Sequence, residues 1–140
     1  TIVLNPSPYD EMISRCDLSK ISFFLINEVE GAQISGHTEP DEILNAMRKQ
    51  YPRAKVVLTL GSQGSVYQDA DQTVKQEIYK VDAVDTTAAG DTYIGYFIAS
   101  RELGYDTKKA MEYATLASSV TVTRKGAAGS VPEGREVFSC

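Results

Sequence analysis

The residues with the clearest chemical potential form one short stretch, in which Ala88, Ala89 and Gly90 are followed by Asp91. A strand-like run ends at Asp85, and a nearly all-apolar helix is predicted to begin after the small residues. The first N–H groups of a helix have no partner within it, and together with the helix dipole they form a site for an anion. We therefore expect unpaired N–H groups at 88–90, where small side chains let a phosphate approach the backbone closely.

Asp91 falls in the first turn of the predicted helix, so its carboxylate projects beside the anion. A carboxylate in that position can accept a hydroxyl proton while the N–H groups hold the group being transferred. The two features together suggest phosphoryl transfer from a nucleotide to an alcohol. The same residues also fit an ordinary helix start, in which Asp91 only complements the dipole.

The whole stretch resembles the second signature of the ribokinase-like (phosphofructokinase-B) carbohydrate kinases, which is Asp-Thr-Thr-Gly/Ala-Ala-Gly-Asp followed by an aromatic-rich helix. Asp85, Thr86, Thr87 and residues 89–91 match that pattern, and Ala88 stands where many members carry glycine. The resemblance implies that Asp91 is the general base. It also implies that the N–H groups of Ala88, Ala89 and Gly90 hold the transferring phosphate.

Composition sets broad limits on the class of protein. The chain has 140 residues, 42% of them hydrophobic and 24% charged, which is typical of one globular domain. Its net charge of −5 disfavours nucleic acid as a partner. No apolar run approaches membrane-spanning length, so we expect no membrane partner. Cys16 and Cys140 lack metal-ligand neighbours, which favours a reducing compartment over a disulfide framework.

Apolar runs at 2–4, 23–26 and 56–60 predict buried strands of a parallel sheet. Alternation at 65–68 and 73–79 predicts an antiparallel hairpin at the sheet edge. With the resemblance, these runs predict an α/β fold, a three-layer, Rossmann-like, mostly parallel sheet. Helices are predicted at 9–16, 39–51, 91–103 and 108–123, the last capped by Thr107. The chain opens on Thr1 in an apolar run, so we expect the natural protein to begin earlier.

Asn27 and Glu30 have two interpretations. Asn27 suits the N-cap of a helix, with Glu30 in its first turn, where an acid complements the dipole. The pair also matches the family motif Asn-x-x-Glu, which implies a role around Mg²⁺ and the phosphates, largely through water. A hydrated Mg²⁺ held by one carboxylate and substrate phosphates fits the chemistry of that ion, and we favour this role.

Gly61, Ser62 and Gly64 follow the strand predicted at 56–60. The glycines can be read as turn residues alone. They also match the family's Leu-Gly-x-x-Gly, which implies a loop against the nucleotide. No Walker A pattern is present, so a P-loop kinase is not indicated.

Residues 121–132 are similar to the family segment Val-Thr-Arg-Lys-Gly-Ala-x-x-Ser-Val-Pro. That resemblance implies a potassium ion held by oxygens from two segments of the chain. The implied ligands are the side chains of Asp85 and Ser130 and the carbonyls of Thr87, Thr121, Arg124 and Gly126. Such a cation would add positive field where phosphate charge accumulates.

The resemblance covers only the C-terminal half of a family member. Most of the family's sugar-contacting residues and its β-sheet lid have no counterpart in this chain. The resemblance implies ATP-dependent phosphorylation of a sugar, D-ribose first, by a cytoplasmic, homodimeric parent protein. Residues 1–140 would be its C-terminal nucleotide-binding and catalytic part. The alternatives are another sugar or nucleoside kinase of the family, or an inactive nucleotide-binding fragment. The isolated fragment is expected to be inactive, because in-line transfer requires both substrates to be held and water to be excluded.

Overall fold

The computed structural model describes residues 1–139, which divide into two compact units at residue 75/76. Cys16 is a free, exposed cysteine, whereas the prediction for Cys140 lies outside the described residues. No helix in the described part of the chain has the length and apolar character needed to cross a bilayer.

The first unit is built on a sheet whose strands follow one another in sequence order. They are β1 (Val3–Leu4), β2 (Phe23–Asn27), β3 (Lys55–Thr59), β4 (Ser65–Gln68) and β5 (Thr73–Gln76). The first three run parallel, and β4 is antiparallel to β3. The predicted parallel strands and the edge hairpin are therefore confirmed, with β5 shorter than the predicted run.

The strand predicted at 2–4 forms as β1, at an exposed edge of the sheet in this chain. β1 pairs only with β2, and the side chains of Ile2 and Val3 are 51% and 40% exposed. An edge strand has one neighbour, so its apolar residues are covered on fewer sides than those of β2 and β3.

Helices α1 (Glu28–Ser35) and α2 (Pro40–Gln50) complete this unit. Their apolar positions join the strands in one core, which includes Phe24, Ile26, Ile43, Leu44, Met47, Val56 and Leu58. The prediction of a helix at 39–51 is confirmed. The prediction of a helix at 9–16 is wrong, because only a 3-10 turn forms there, at Ile13–Arg15. That turn has no buried residue whose packing would stabilise a longer helix.

The second unit consists of α3 (Ala89–Glu102), α4 (Thr107–Val122) and α5 (Gly134–Phe138), with α3 packed against α4. Both long helices appear where the sequence predicts them. The cap of α4 is one residue earlier than predicted, because the Asp106 carboxylate accepts a hydrogen bond from the Lys109 N–H at 2.8 Å. Thr107 is instead the buried first residue of the helix.

The segment before α3 is not the strand that the sequence predicts up to Asp85. The N–H groups of Val84 and Asp85 both donate to the carbonyl of Val122, at 2.7 and 3.1 Å. These two N–H groups, which a strand would use to pair with a neighbouring strand, instead bind this segment to the end of α4.

Candidate active site

The N-terminus of α3 carries the proposed anion site. Ala88 is the N-cap residue, and no side chain caps the helix there. The Ala89 N–H donates to the Thr86 carbonyl at 3.2 Å, so the expectation that it is unpaired is wrong. A turn formed by the preceding residues supplies that acceptor. Among residues 1–139, none accepts a hydrogen bond from the N–H of Ala88 or Gly90.

Asp91 is the third residue of α3 and its side chain is exposed. Within the described chain, no group donates a hydrogen bond to its carboxylate. A Cβ placed on the neighbouring Gly90 would meet nothing within 4 Å, so the space beside this turn is open. The exposed carboxylate and the unpaired N–H groups therefore share one accessible helix terminus.

Asp85 connects the turn before α3 to the loop after α4. Its Oδ1 accepts hydrogen bonds from the hydroxyl and the N–H of Thr87, at 2.6 and 2.9 Å. Its Oδ2 accepts one from the N–H of Gly126 at 3.1 Å. These three donors, with the Thr87 hydroxyl first, hold the pKa of Asp85 below its usual range.

The end of α4 and the loop after it contain four of the residues predicted to bind a monovalent cation: Thr121 on the helix, and Arg124, Gly126 and Ser130 in the loop. The carbonyl of Thr121 accepts a hydrogen bond from the Arg124 N–H at 3.0 Å. The buried Ser130 hydroxyl donates to the Ala127 carbonyl at 2.6 Å. Between the two segments, Asp85 contacts Gly126, but through the N–H of Gly126 rather than its carbonyl.

An ion pair that the sequence analysis missed closes this loop. The Arg124 guanidinium lies 2.6 Å from the Glu136 carboxylate on α5. Hydrogen bonding within the pair raises the pKa of Arg124 and lowers that of Glu136. The Tyr96 hydroxyl on α3 also donates to the Pro132 carbonyl at 2.5 Å, so both ends of the loop are fastened.

The sequence analysis also missed two hydroxyl contacts between α3 and α4. The Ser118 hydroxyl donates to the Ala89 carbonyl at 3.1 Å. The Thr92 and Thr121 hydroxyls lie 3.1 Å apart and are buried. No local pattern reports such pairs, because their partners are separated by 29 residues of sequence.

The glycine loop in the first unit is a tight turn between β3 and β4. Residues Gly61–Gln63 form a 3-10 turn, and the Leu60 N–H donates to the Gly64 carbonyl at 2.8 Å. Gly61 has φ +53°, and Gly64 has φ +92° with ψ −139°. Both conformations favour glycine, so the two positions are explained by backbone geometry. Ser62 lies exposed at the tip.

Asn27 and Glu30 form a reciprocal capping box at the start of α1. The Asn27 side chain accepts from the Glu30 N–H at 2.9 Å, and Glu30 Oε2 accepts from the Asn27 N–H at 3.0 Å. The cap predicted at Asn27 is therefore confirmed. Glu30 is 4% exposed, and its second oxygen accepts no hydrogen bond from any residue in the described range.

A sequence model of the pfkB family carbohydrate kinases matches residues 1–134. This chain belongs to the pfkB family of carbohydrate kinases. The family predicted from the motif at 85–91 is thereby confirmed.

Curated pfkB relatives include two ribokinases. The chain is 36% identical over 148 residues to the Schizosaccharomyces pombe ribokinase, covering 97% of this chain and 45% of that protein. It is 37% identical over 142 residues to the Staphylococcus aureus ribokinase, covering 98% of this chain and 46% of that protein. The chain thus spans about half the length of the curated relatives it matches.

Solved structures of the family share the fold. The Arabidopsis thaliana ribokinase complexed with ribose and ATP is 30% identical, with a TM-score of 0.80 over 87% of this chain and 41% of that one. An E. coli protein named ribokinase II, in complex with ATP and Mg²⁺, is 30% identical, with a TM-score of 0.78 over 87% of this chain and 39% of that one. The predicted ribokinase-like α/β fold is therefore confirmed, as part of a larger family fold.

Proposed function

We propose that this chain is the C-terminal, nucleotide-binding and catalytic part of a longer kinase, here called the parent kinase. That enzyme transfers the γ-phosphoryl group of ATP to a sugar hydroxyl, with D-ribose as the preferred substrate. The observation that carries the proposal is the open N-terminus of α3, where unpaired N–H groups at Ala88 and Gly90 accompany the exposed Asp91 carboxylate. Ribokinase relatives over nearly the whole chain support the choice of substrate.

In the proposed reaction, Asp91 accepts the proton of the attacking sugar hydroxyl. The sugar oxygen forms a bond to the γ-phosphorus while the bond to the β–γ bridging oxygen breaks, and ADP leaves with that electron pair. The Ala88 and Gly90 N–H groups donate to the oxygens of the transferring group, with the dipole of α3 behind them. Fixed donors of this kind stabilise charge that spreads over the phosphoryl oxygens in the transition state.

The nucleotide loop and the magnesium site belong to the same proposal. Gly61, Ser62 and Gly64 form a tight turn, exposed at Gly61 and Ser62, on which a nucleotide can lie. Glu30 fits an indirect magnesium role, because one carboxylate oxygen is used in the cap and the other is left for a metal-bound water. Mg²⁺ would supply positive charge to the phosphates when bound. The Glu30→Gln variant keeps an oxygen for the cap and removes the charge, so we expect weaker magnesium activation with an intact helix.

A potassium ion is proposed near Asp85 because the two segments expected to share it meet there, at the 3.1 Å contact with Gly126. Carboxylate, hydroxyl and carbonyl oxygens suit a hard monovalent cation. Asp85, Thr87, Thr121, Arg124, Gly126 and Ser130 would hold it. When bound, the ion would add positive field beside the anion site. Sodium-free assays of the parent kinase should give unequal rates in K⁺, Cs⁺ and a bulky organic cation, and equal rates would remove this site from the proposal.

The deciding experiment is a coupled ADP-release assay of the parent kinase with ribose, other sugars and nucleosides. Ribose-dependent ADP release with the highest kcat/KM in the panel supports the proposal. Preference for another sugar or a nucleoside would assign the chain to a different member of the family. ATP binding with no acceptor in the panel would favour a non-catalytic nucleotide-binding role. Cytoplasmic location and a homodimeric parent are further parts of the proposal, tested by fractionation and by light scattering.

A further inference from the structure

We propose that Thr121 and Ser118 on α4 are positioning residues for the N-terminal turn of α3. This inference rests on the proposed function, because that turn carries Asp91 and the phosphate-binding N–H groups. It concerns the side-chain hydroxyls of these two residues. The potassium proposal, by contrast, uses the main-chain carbonyl of Thr121 and not its hydroxyl.

The two residues contact the beginning and the end of the turn, on the side that faces α4. The Ser118 hydroxyl donates to the carbonyl of Ala89, at the first residue of α3. The Thr121 hydroxyl lies 3.1 Å from that of Thr92, the residue directly after Asp91. Asp91 is therefore bracketed by two contacts to the same neighbouring helix.

Burial makes the threonine contact specific. Thr121 is 0% exposed and Thr92 is 3% exposed. Water cannot readily replace a lost partner there, so an unpaired hydroxyl is costly and the two groups are held in one arrangement. The turn has no side-chain cap of its own, so the two hydroxyl contacts from α4 add to what fixes its position.

Positioning matters for this reaction because phosphoryl transfer depends on geometry more than on covalent chemistry by the protein. A small displacement of the turn would move the base and the N–H donors together. We therefore expect loss of either hydroxyl to lower kcat with little change in KM for ATP.

Helix α4 supplies matched controls for both substitutions. The buried Thr115 hydroxyl donates to the Met111 carbonyl of its own helix at 2.8 Å, and the Ser119 hydroxyl donates to the Leu116 carbonyl at 2.7 Å. Thr115→Val thus repeats the chemistry of Thr121→Val, and Ser119→Ala that of Ser118→Ala, but the hydrogen bonds that they remove lie within α4.

The test uses the parent kinase. We expect Thr121→Val and Ser118→Ala to lower kcat by about 5- to 10-fold, the scale of one lost buried hydrogen bond. Thr115→Val and Ser119→Ala should stay within about twofold of wild type. Thr121→Ser, which keeps the hydroxyl, should restore most of the activity. Hydrogen exchange should be faster at residues 92 and 93, the first with hydrogen-bonded N–H groups after Asp91, in Thr121→Val than in Thr115→Val, with equal rates in the middle of α4.

The outcomes separate the inference from the function on which it rests. An inactive wild-type parent kinase would refute the proposed function. An active wild type in which Thr121→Val matches Thr115→Val in kcat and in exchange at residues 92 and 93 would overturn the inference alone. If Thr121→Val does not fold, the Ser118→Ala and Ser119→Ala pair gives the same decision by the same two measurements.

Discussion

The Asp85 carboxylate accepts a hydrogen bond from the N–H of Gly126 at 3.1 Å, across 41 residues of sequence. This contact joins the turn that precedes α3 to the loop that follows α4. It coexists with the two hydrogen bonds from Thr87 to the other oxygen of the same carboxylate. The ionised form of Asp85 is thereby favoured in the folded protein, which has a measurable consequence for stability.

Stability should fall in acid partly through Asp85. Its pKa is lower in the folded protein than its ordinary value of about 3.9. The stabilisation is therefore fully present above that ordinary value, and it is lost as the pH falls through it towards the folded value. We expect the melting-temperature difference between the wild-type parent kinase and Asp85→Asn to be constant from about pH 6 to 5 and to shrink below about pH 4. A difference that stays constant down to pH 3 would contradict this assignment.

The two glycines of the loop between β3 and β4, Gly61 and Gly64, should differ in their tolerance of alanine. Gly61 has φ +53°, where alanine costs about 1 kcal/mol. Gly64 combines φ +92° with ψ −139°, a conformation closer to the region reserved for glycine, where we expect a cost of about 2–3 kcal/mol. Urea unfolding of Gly61→Ala and Gly64→Ala measures both costs. Equal losses would mean that the Gly64 conformation is not the one described.

The sequence predicted structural features that depend on neighbouring residues better than features that depend on residues far apart in the chain. Periodicity and capping residues act locally, so α1 with its Asn27 cap, α2 and α3 were predicted correctly. The prediction of a strand ending at Asp85 was wrong because the N–H groups of Val84 and Asp85 donate to the carbonyl of Val122. That partner is distant in the chain, and no sequence pattern indicates it. The apolar run at 2–4 indicates a strand but does not say whether neighbours cover both sides.

For the candidate site, the motif predicted the helix terminus and the residues around it. The turn that occupies the Ala89 N–H depends on backbone geometry at Thr86, which residue types alone do not fix. The Arg124–Glu136 pair joins the loop after α4 to α5, and the hydroxyl contact between Thr92 and Thr121 joins α3 to α4. Such pairs become visible only once the packing of the helices is known.

The 140-residue chain by itself should bind nucleotide and transfer phosphate poorly. It contains the α3 terminus and the glycine loop, but it spans only about 45% of its ribokinase relatives. We expect calorimetry to detect weak binding of ADP and a coupled assay to detect negligible phosphorylation of ribose. Rapid turnover by this chain would show that the sugar site lies within it.

The most direct test of the central claim is the steady-state kinetics of Asp91→Asn in the parent kinase, with Glu102→Gln as the control. Glu102 is an exposed acid at the other end of α3, so its variant makes the same kind of charge change away from the site. If Asp91 is the general base, kcat falls by about 10²-fold or more while ATP affinity is nearly unchanged, and Glu102→Gln keeps the wild-type rate. A near-wild-type kcat in Asp91→Asn would contradict the account.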